Sequence, residues 1–387
     1  MQTKNIEKRL LYPILLGFFI TGYSDIAAPL TGGIIIEEFS AEQSAAVNFL
    51  PSMAFLWFLF LSTPIAAFMN RCGRKPAAMI GFGLSVVGLV VAFACSFHRE
   101  PSLAGYFAGF GVLGLGNTFV QMAINPLLAT IVPKGQMTSY LTIGQIVRNC
   151  SLLIIGPLAL GLAAWTGWWQ WALVVYAVVS IAGAVWMSFT PIPEPQPEGR
   201  AQTLGDCFKL LKNKLVLIST LGIGAFIMAD VGMNFVGGQL IHADSAILSS
   251  TGFYACRILG TVVGYFVLVH YSDVKYLRWN MAMAVVLAVV MLFMKQPAWV
   301  YGSMALMGFL VSCVFATFFA VAIKSVKANE SNGVAGLMIL AISAGAITCP
   351  LCGALIDLCG GVTSMGLLVP LLAILYMLWA SWQVKTE

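Results

Sequence analysis

A chain of 387 residues with 60% hydrophobic and 9% charged residues stands far from the roughly 45 to 50% and about 25% of an ordinary soluble protein. Twenty Lys+Arg and 15 Asp+Glu are too few to cover so large an apolar body in water, so the solvent is a bilayer. This excludes disorder, a disulfide scaffold and a water-soluble enzyme, and the net charge of +5 does not point to nucleic acid, because the basic residues form short clusters between apolar runs.

Apolar runs of spanning length, about 20 residues, fall near 10–36, 45–69, 76–97, 103–131, 137–164 and 168–190, then near 215–241, 246–271, 279–295, 298–323, 333–357 and 362–382. They predict an all-α membrane protein of twelve transmembrane helices. Lys4 to Arg9 ahead of the first run look like the start of a signal peptide, but the run continues through Asp25 without a small-residue cleavage motif, so a retained first helix is expected. The stretch Pro191 to Lys214 carries Pro191, Pro193, Pro195 and Pro197, then Arg200, Asp206, Lys209, Lys212 and Lys214. It reads as a linker, which divides the chain into a six-helix bundle over 1–190, the linker over 191–214 and a second bundle over 215–387.

Alternate loops differ sharply in basic residues. One side holds both termini, Arg71, Arg74, Lys75, Lys134, the linker cations, Lys275, Arg278, Lys324 and Lys327, and the other holds Arg99 and Lys295. That asymmetry places both termini and the linker in the cytoplasm. The first and seventh runs each carry an Asp seven residues before a Gly-Gly pair, Asp25 before Gly32 and Asp230 before Gly237, which suggests a parallel internal repeat.

The loop after the second run reads Ala66-Ala67-Phe68-Met69-Asn70-Arg71-Cys72-Gly73-Arg74-Lys75. It resembles the helix 2 to 3 loop of the major facilitator superfamily, with Arg71, Gly73, Arg74 and Lys75 at matching positions and Ala66 and Asn70 replacing the family's Gly and Asp. The resemblance implies two pseudo-symmetric six-helix bundles and a conformational gating role for these four residues. The fourth run, Gly114-Leu115-Gly116-Asn117 through Gln121 to Asn125-Pro126, is similar to the fucose permease group of sugar:proton symporters. So is the Gly-Tyr-Ser-Asp of the first run, where that group's Asp serves proton coupling. Carried over, Asp25 is the protonation site, while Gln121 stands where the group's fucose permease has a Glu and cannot titrate.

Independently of any resemblance, Asp or Arg at a helix centre costs roughly 2.5 to 3.5 kcal/mol on insertion scales. Asp25, Arg148, Asp230 and Arg257 are the four such residues here. They predict two opposite-sign pairs, Asp25 with Arg148 and Asp230 with Arg257, able to couple protonation to motion or simply to fix packing. The amides Asn117, Gln121, Asn125, Gln145, Asn149, Asn234 and Gln239 supply the paired donors and acceptors a sugar needs; interhelical hydrogen bonding is the rival role for each. Gln145, Arg148 and Asn149 are spaced to share a helix face. Tyr23, Trp57 and Phe58 are read as packing, and Trp165, Trp168, Trp169 and Trp171 as an interfacial belt. Cys349-Pro350-Leu351-Cys352 has metal-motif spacing without a second such pair, and His98, His242 and His270 lie at run ends, so no metal site, cofactor or catalytic dyad is expected. Without a phosphate-binding loop for ATP, the expectation is a monomeric secondary transporter, not an enzyme, taking up a sugar or sugar derivative with protons by alternating access; the resemblance implies the bacterial inner membrane. The alternatives are a proton-coupled exporter, or a transporter of a carboxylated metabolite such as a sugar acid.

Overall fold

A computed structural model describes residues 8–25, 35–40, 43–47, 49–96, 101–132, 137–192, 208–241, 246–268, 272–327 and 330–384. Twelve helical rods follow one another in these residues: α1 (Lys8–Tyr23), α2 (Leu50–Cys72), α3 (Arg74–Ser96), α4 (Leu103–Ile131), α5 (Met137–Thr166), α6 (Trp171–Phe189), α7 (Lys214–Ile241), α8 (Ala246–Leu268), α9 (Asp273–Met291), α10 (Pro297–Lys324), α11 (Ser331–Leu340, continuing through Ala341–Ala344 to Gly345–Leu358) and α12 (Thr363–Gln383). Among the described residues nine are long and apolar enough to cross a membrane, and α2, bent by 60° between Ser62 and Pro64, makes a tenth. With α1 and α8 the order matches the twelve predicted spans. Proline lacks an N–H and clashes with the preceding turn, which accounts for the bend.

α1 ends earlier than its apolar run. The helix stops at Tyr23, and Ser24 and Asp25 occupy a turn closed by Asp25 N–H to the Gly22 carbonyl at 3.1 Å. Residues 26–34 of that run, including Gly32, lie outside the described residues, as do His98, His242, His270 and residues 193–207 of the predicted linker.

Contacts recur between the first six helices and the last six. α1 packs on α4, α5 and α6 as α7 packs on α10, α11 and α12, while α3 meets α6 as α9 meets α12. A cation repeats the same cap in both sets. Lys75 Nζ donates to the carbonyls of Ser188 (3.0 Å) and Thr190 (2.8 Å) at the end of α6, and Arg278 donates to those of Ser381 (3.0 Å) and Val384 (2.9 Å) at the end of α12. Such carbonyls have no intrahelical partner. The two sets touch chiefly where α2 meets α11 and α5 meets α8.

Small residues set the closest approach. A Cβ on Gly116 of α4 would lie 2.7 Å from the Gly81 carbonyl of α3, and one on Gly109 would lie 2.6 Å from the Ala92 nitrogen. Glycine there lets the α3 and α4 backbones touch, as van der Waals packing between membrane helices favours. Val90, Val178, Trp279 and Phe293 are instead exposed, and in a bilayer they face lipid at no cost.

The tryptophan belt needs one correction. Trp165, Trp168 and Trp171 are exposed, but Trp169 is buried and its Nε1 donates to Glu38 at 2.7 Å. Tyr106 Oη (2.8 Å) and Gln170 Nε2 (3.3 Å) donate to the same carboxylate, so Trp169 fastens the connection after α1 to α4 and α6 rather than marking the interface.

Candidate functional site

Both predicted charge pairs form. Arg148 Nη2 on α5 lies 2.6 Å from Asp25 Oδ2, and Arg257 Nη1 on α8 lies 2.7 Å from Asp230 Oδ2 on α7. The first contact depends on Gly22: a Cβ there would collide with the Arg148 carbonyl and sit 2.9 Å from the Ser151 Cβ. Glycine allows α1 to lie against α5, and Asp25, one turn on, then reaches the guanidinium.

A string of amides extends the first pair along α4. Asn117 Nδ2 donates to Asp25 Oδ1 (3.2 Å), Gln121 Nε2 donates to Asn117 Oδ1 (3.4 Å), and Asn125 Nδ2 donates to the Gln121 carbonyl (3.2 Å). These residues stand four apart, so one face of the helix carries all three.

A narrow cavity opens beside this string, between the first six helices and the last six. Its walls differ in chemistry. Thr21, Gln121, Asn125, Gln145 and Arg148 line it with Phe18 and Ile124 on one side, and Phe226, Ile227, Phe315 and Ile342 line it on the other. Arg148 is doubly placed, holding Asp25 while facing the cavity, and its Nε is buried without a hydrogen-bond partner among the described residues.

The second pair is set apart from the cavity. The Arg257 side chain is 2% exposed against 13% for Arg148, and its guanidinium carbon stands 4.9 Å from the centre of the Phe226 ring. Asn234 Nδ2 donates to the Asp230 carbonyl at 2.9 Å and to its Oδ1 at 3.5 Å.

Of the seven amides proposed from sequence, Gln121, Asn125 and Gln145 line the cavity, and Asn117 stands behind them on Asp25. Asn149 is withdrawn from it, buried with neither end of its amide paired among the described residues. Arg148 and Asn149 diverge by about 100° around the helix, and the cavity takes Gln145 and the Arg148 flank. Asn234 turns back onto Asp230, and Gln239 is exposed near the end of α7; neither lines the cavity. Tyr23 stacks on Tyr176 with ring centres 4.4 Å apart, and Phe58 is buried in the core.

In the loop before α3, Gly73 has φ 94°, a region in which a side chain is strained. Arg74 Nη1 donates to the Pro126 carbonyl at 2.9 Å, tying this loop to the helix that carries Gln121 and Asn125. Arg71 is exposed.

Sequence reasoning missed the apolar wall and Tyr254, a tyrosine of α8 within electrostatic reach of Asp230, Arg257, Asp25 and Arg148. Spacing could have found two of these residues. Phe226 precedes Asp230 by four, as Thr21 precedes Asp25, and Tyr254 precedes Arg257 by three, so each shares a face with its charged neighbour.

The family model described as Major Facilitator Superfamily matches residues 14–350. No curated protein matches the sequence significantly. Among solved structures, a variant of the E. coli fucose:proton symporter FucP has a TM-score of 0.80 at 14% identity, covering 98% of both chains. A structure of FucP in an outward conformation gives 0.80 and 14%, covering 97% of this chain and 98% of that one. At this identity the likeness is one of fold.

Proposed function

This chain belongs to the Major Facilitator Superfamily, a family of multi-pass membrane transporters, and from that premise we propose that it takes up a sugar or sugar derivative together with protons. The bundles 1–190 and 215–387, joined by the linker 191–214, rock about the cavity between them. The observation that carries this reading is the Asp25–Arg148 pair at the edge of an amide-lined cavity. The Arg148 guanidinium favours the charged form of the Asp25 carboxylate. A proton on Asp25 cancels the attraction and frees guanidinium N–H groups for cargo oxygens; Gln121, Asn125 and Gln145 supply further donors and acceptors.

Asp230 with Arg257 is the corresponding pair in the second bundle and a second candidate proton site. Asn117, Asn149, Asn234 and Gln239 do not line this cavity and are not assigned to cargo in this conformation. Arg71, Gly73, Arg74 and Lys75 form the gate; the Arg74 bond to Pro126 moves the loop together with α4. The positive-inside rule favours cytoplasmic termini, and the resemblance to the fucose permease group supports a bacterial inner-membrane location; we take the protein to act as a monomer.

A carboxylated cargo is the second reading, favoured by the unpartnered Nε of Arg148, since guanidinium can hold a carboxylate through two parallel bonds. Purified protein in liposomes containing a trapped pH dye distinguishes the readings. L-fucose, D-glucosamine and D-glucuronate are added outside in turn. Acidification of the lumen with one of them establishes symport and its class of cargo, and Asp25→Asn abolishes that signal while sparing exchange of labelled cargo. Alkalinisation indicates export by antiport, and undiminished acidification by Asp25→Asn removes Asp25 as the coupling site.

A further inference from the structure

The two charge pairs share no hydrogen bond among the described residues, yet one cavity-lining ring reaches the second pair. Phe226 lines the cavity together with Arg148, and the same ring carries the Arg257 guanidinium at 4.9 Å. Arg257 is not among the lining residues. One guanidinium nitrogen is engaged by Asp230, and its Nε is buried without a hydrogen-bond partner among the described residues. A guanidinium so deeply buried draws its remaining compensation from the ring quadrupole, an attraction that strengthens as water is excluded.

We propose that Phe226 is the residue through which the second bundle reads cargo: a solute whose polar edge lies on Gln121, Asn125 and Arg148 rests its apolar face on Phe226, and displacement of that ring alters its hold on Arg257 and hence the Arg257–Asp230 pair. This rests on the symport reading above and deepens it in two ways. It selects cargo with one polar edge and one apolar face over polyols with hydroxyls on every side, because the facing wall is Phe226, Ile227, Phe315 and Ile342. It also assigns a positioning role to a side chain that cannot itself titrate or donate a hydrogen bond. Phe315 provides the comparison, since it lines the cavity and lies 6.5 Å from Phe226 between ring centres.

The test uses the same liposomes and the same three solutes, with wild type, Phe226→Leu, Phe226→Tyr and Phe315→Leu, each checked for a cooperative melt. Phe226→Leu is expected to reduce uphill accumulation about tenfold relative to wild type; it also weakens apparent affinity, and exchange measured at saturating labelled cargo falls less than accumulation, the split that a loss of coupling produces. Phe226→Tyr keeps a ring under Arg257 and restores accumulation. Phe315→Leu changes apparent affinity and leaves accumulation at saturating cargo near that of wild type. A Phe226→Leu protein that accumulates cargo like wild type, or one that differs from wild type in affinity alone as Phe315→Leu does, overturns the assignment. Proton movement absent from the wild type with all three solutes overturns the symport reading itself, and this one with it.

Discussion

The two bundles place an Asp–Arg pair at corresponding helices and use it in opposite surroundings. Asp25 follows Thr21 by four residues and Asp230 follows Phe226 by four, and both Thr21 and Phe226 line the cavity. A hydroxyl at the first position leaves the cavity polar beside Arg148, whose partner is also held by Asn117. An aromatic ring at the second closes the cavity off from Arg257, which is all but fully buried. The lesson concerns dielectric environment more than sequence position. An ion pair at the edge of a polar cavity can exchange partners with cargo or a proton, whereas a pair behind a ring is held by stronger, less screened attraction and answers only to what moves the ring.

Making the first wall resemble the second is expected to have the largest effect. Thr21→Phe places an aromatic ring in the cavity beside Arg148, and transport is expected to fall to the background of empty liposomes while the protein still melts cooperatively. Uptake within twofold of wild type would show that the cavity is not the cargo site. Next comes the difference between the two arginines. Removing either leaves a carboxylate of equal exposure, 12% for both Asp25 and Asp230, with one amide donor, Asn117 or Asn234, at a cost of about 3 to 5 kcal/mol. Arg257→Gln also loses the contact with the Phe226 ring, worth up to about 2 kcal/mol. Thermal melts of the two variants in one detergent measure the gap, and equal losses would erase the distinction between the pairs. The smallest effect concerns the repeated caps. Lys75→Ala removes donors to the carbonyls at the end of α6 at about 0.3 to 1 kcal/mol. Arg278→Ala is expected to cost more, because Arg278 also stands 4.6 Å over the Trp382 ring, an interaction worth about 0.5 to 1 kcal/mol where exposed.

Parts of the site were legible because they violate the rule of their surroundings. Asp25, Arg148, Asp230 and Arg257 are conspicuous in apolar runs, and opposite charges at membrane depth have strong reason to meet. Phe226 violates nothing, being one of 25 phenylalanines, so its place at the cavity was invisible without the packing of α7 against α8 and α10. The amides stood between these cases. Their polarity was readable, but Asn125 faces the cavity, Asn117 faces Asp25 and Asn149 faces neither. Trp169 was misread for a related reason: its neighbours in sequence are exposed, and its partner Glu38 lies 131 residues away.

By itself the sequence determined the bilayer, the order of twelve helices, the repeat and the identities of the four buried charges. Each follows from transfer free energies that add up residue by residue along the chain, so local composition suffices. Only the tertiary structure decided that Gly22 brings Asp25 against Arg148, that one wall of the cavity is polar and the other apolar, and that Phe226 lines that cavity while lying against Arg257. Those outcomes depend on helix rotation and on the close approach of distant backbones, where about 100° per residue separates a lining side chain from a buried one.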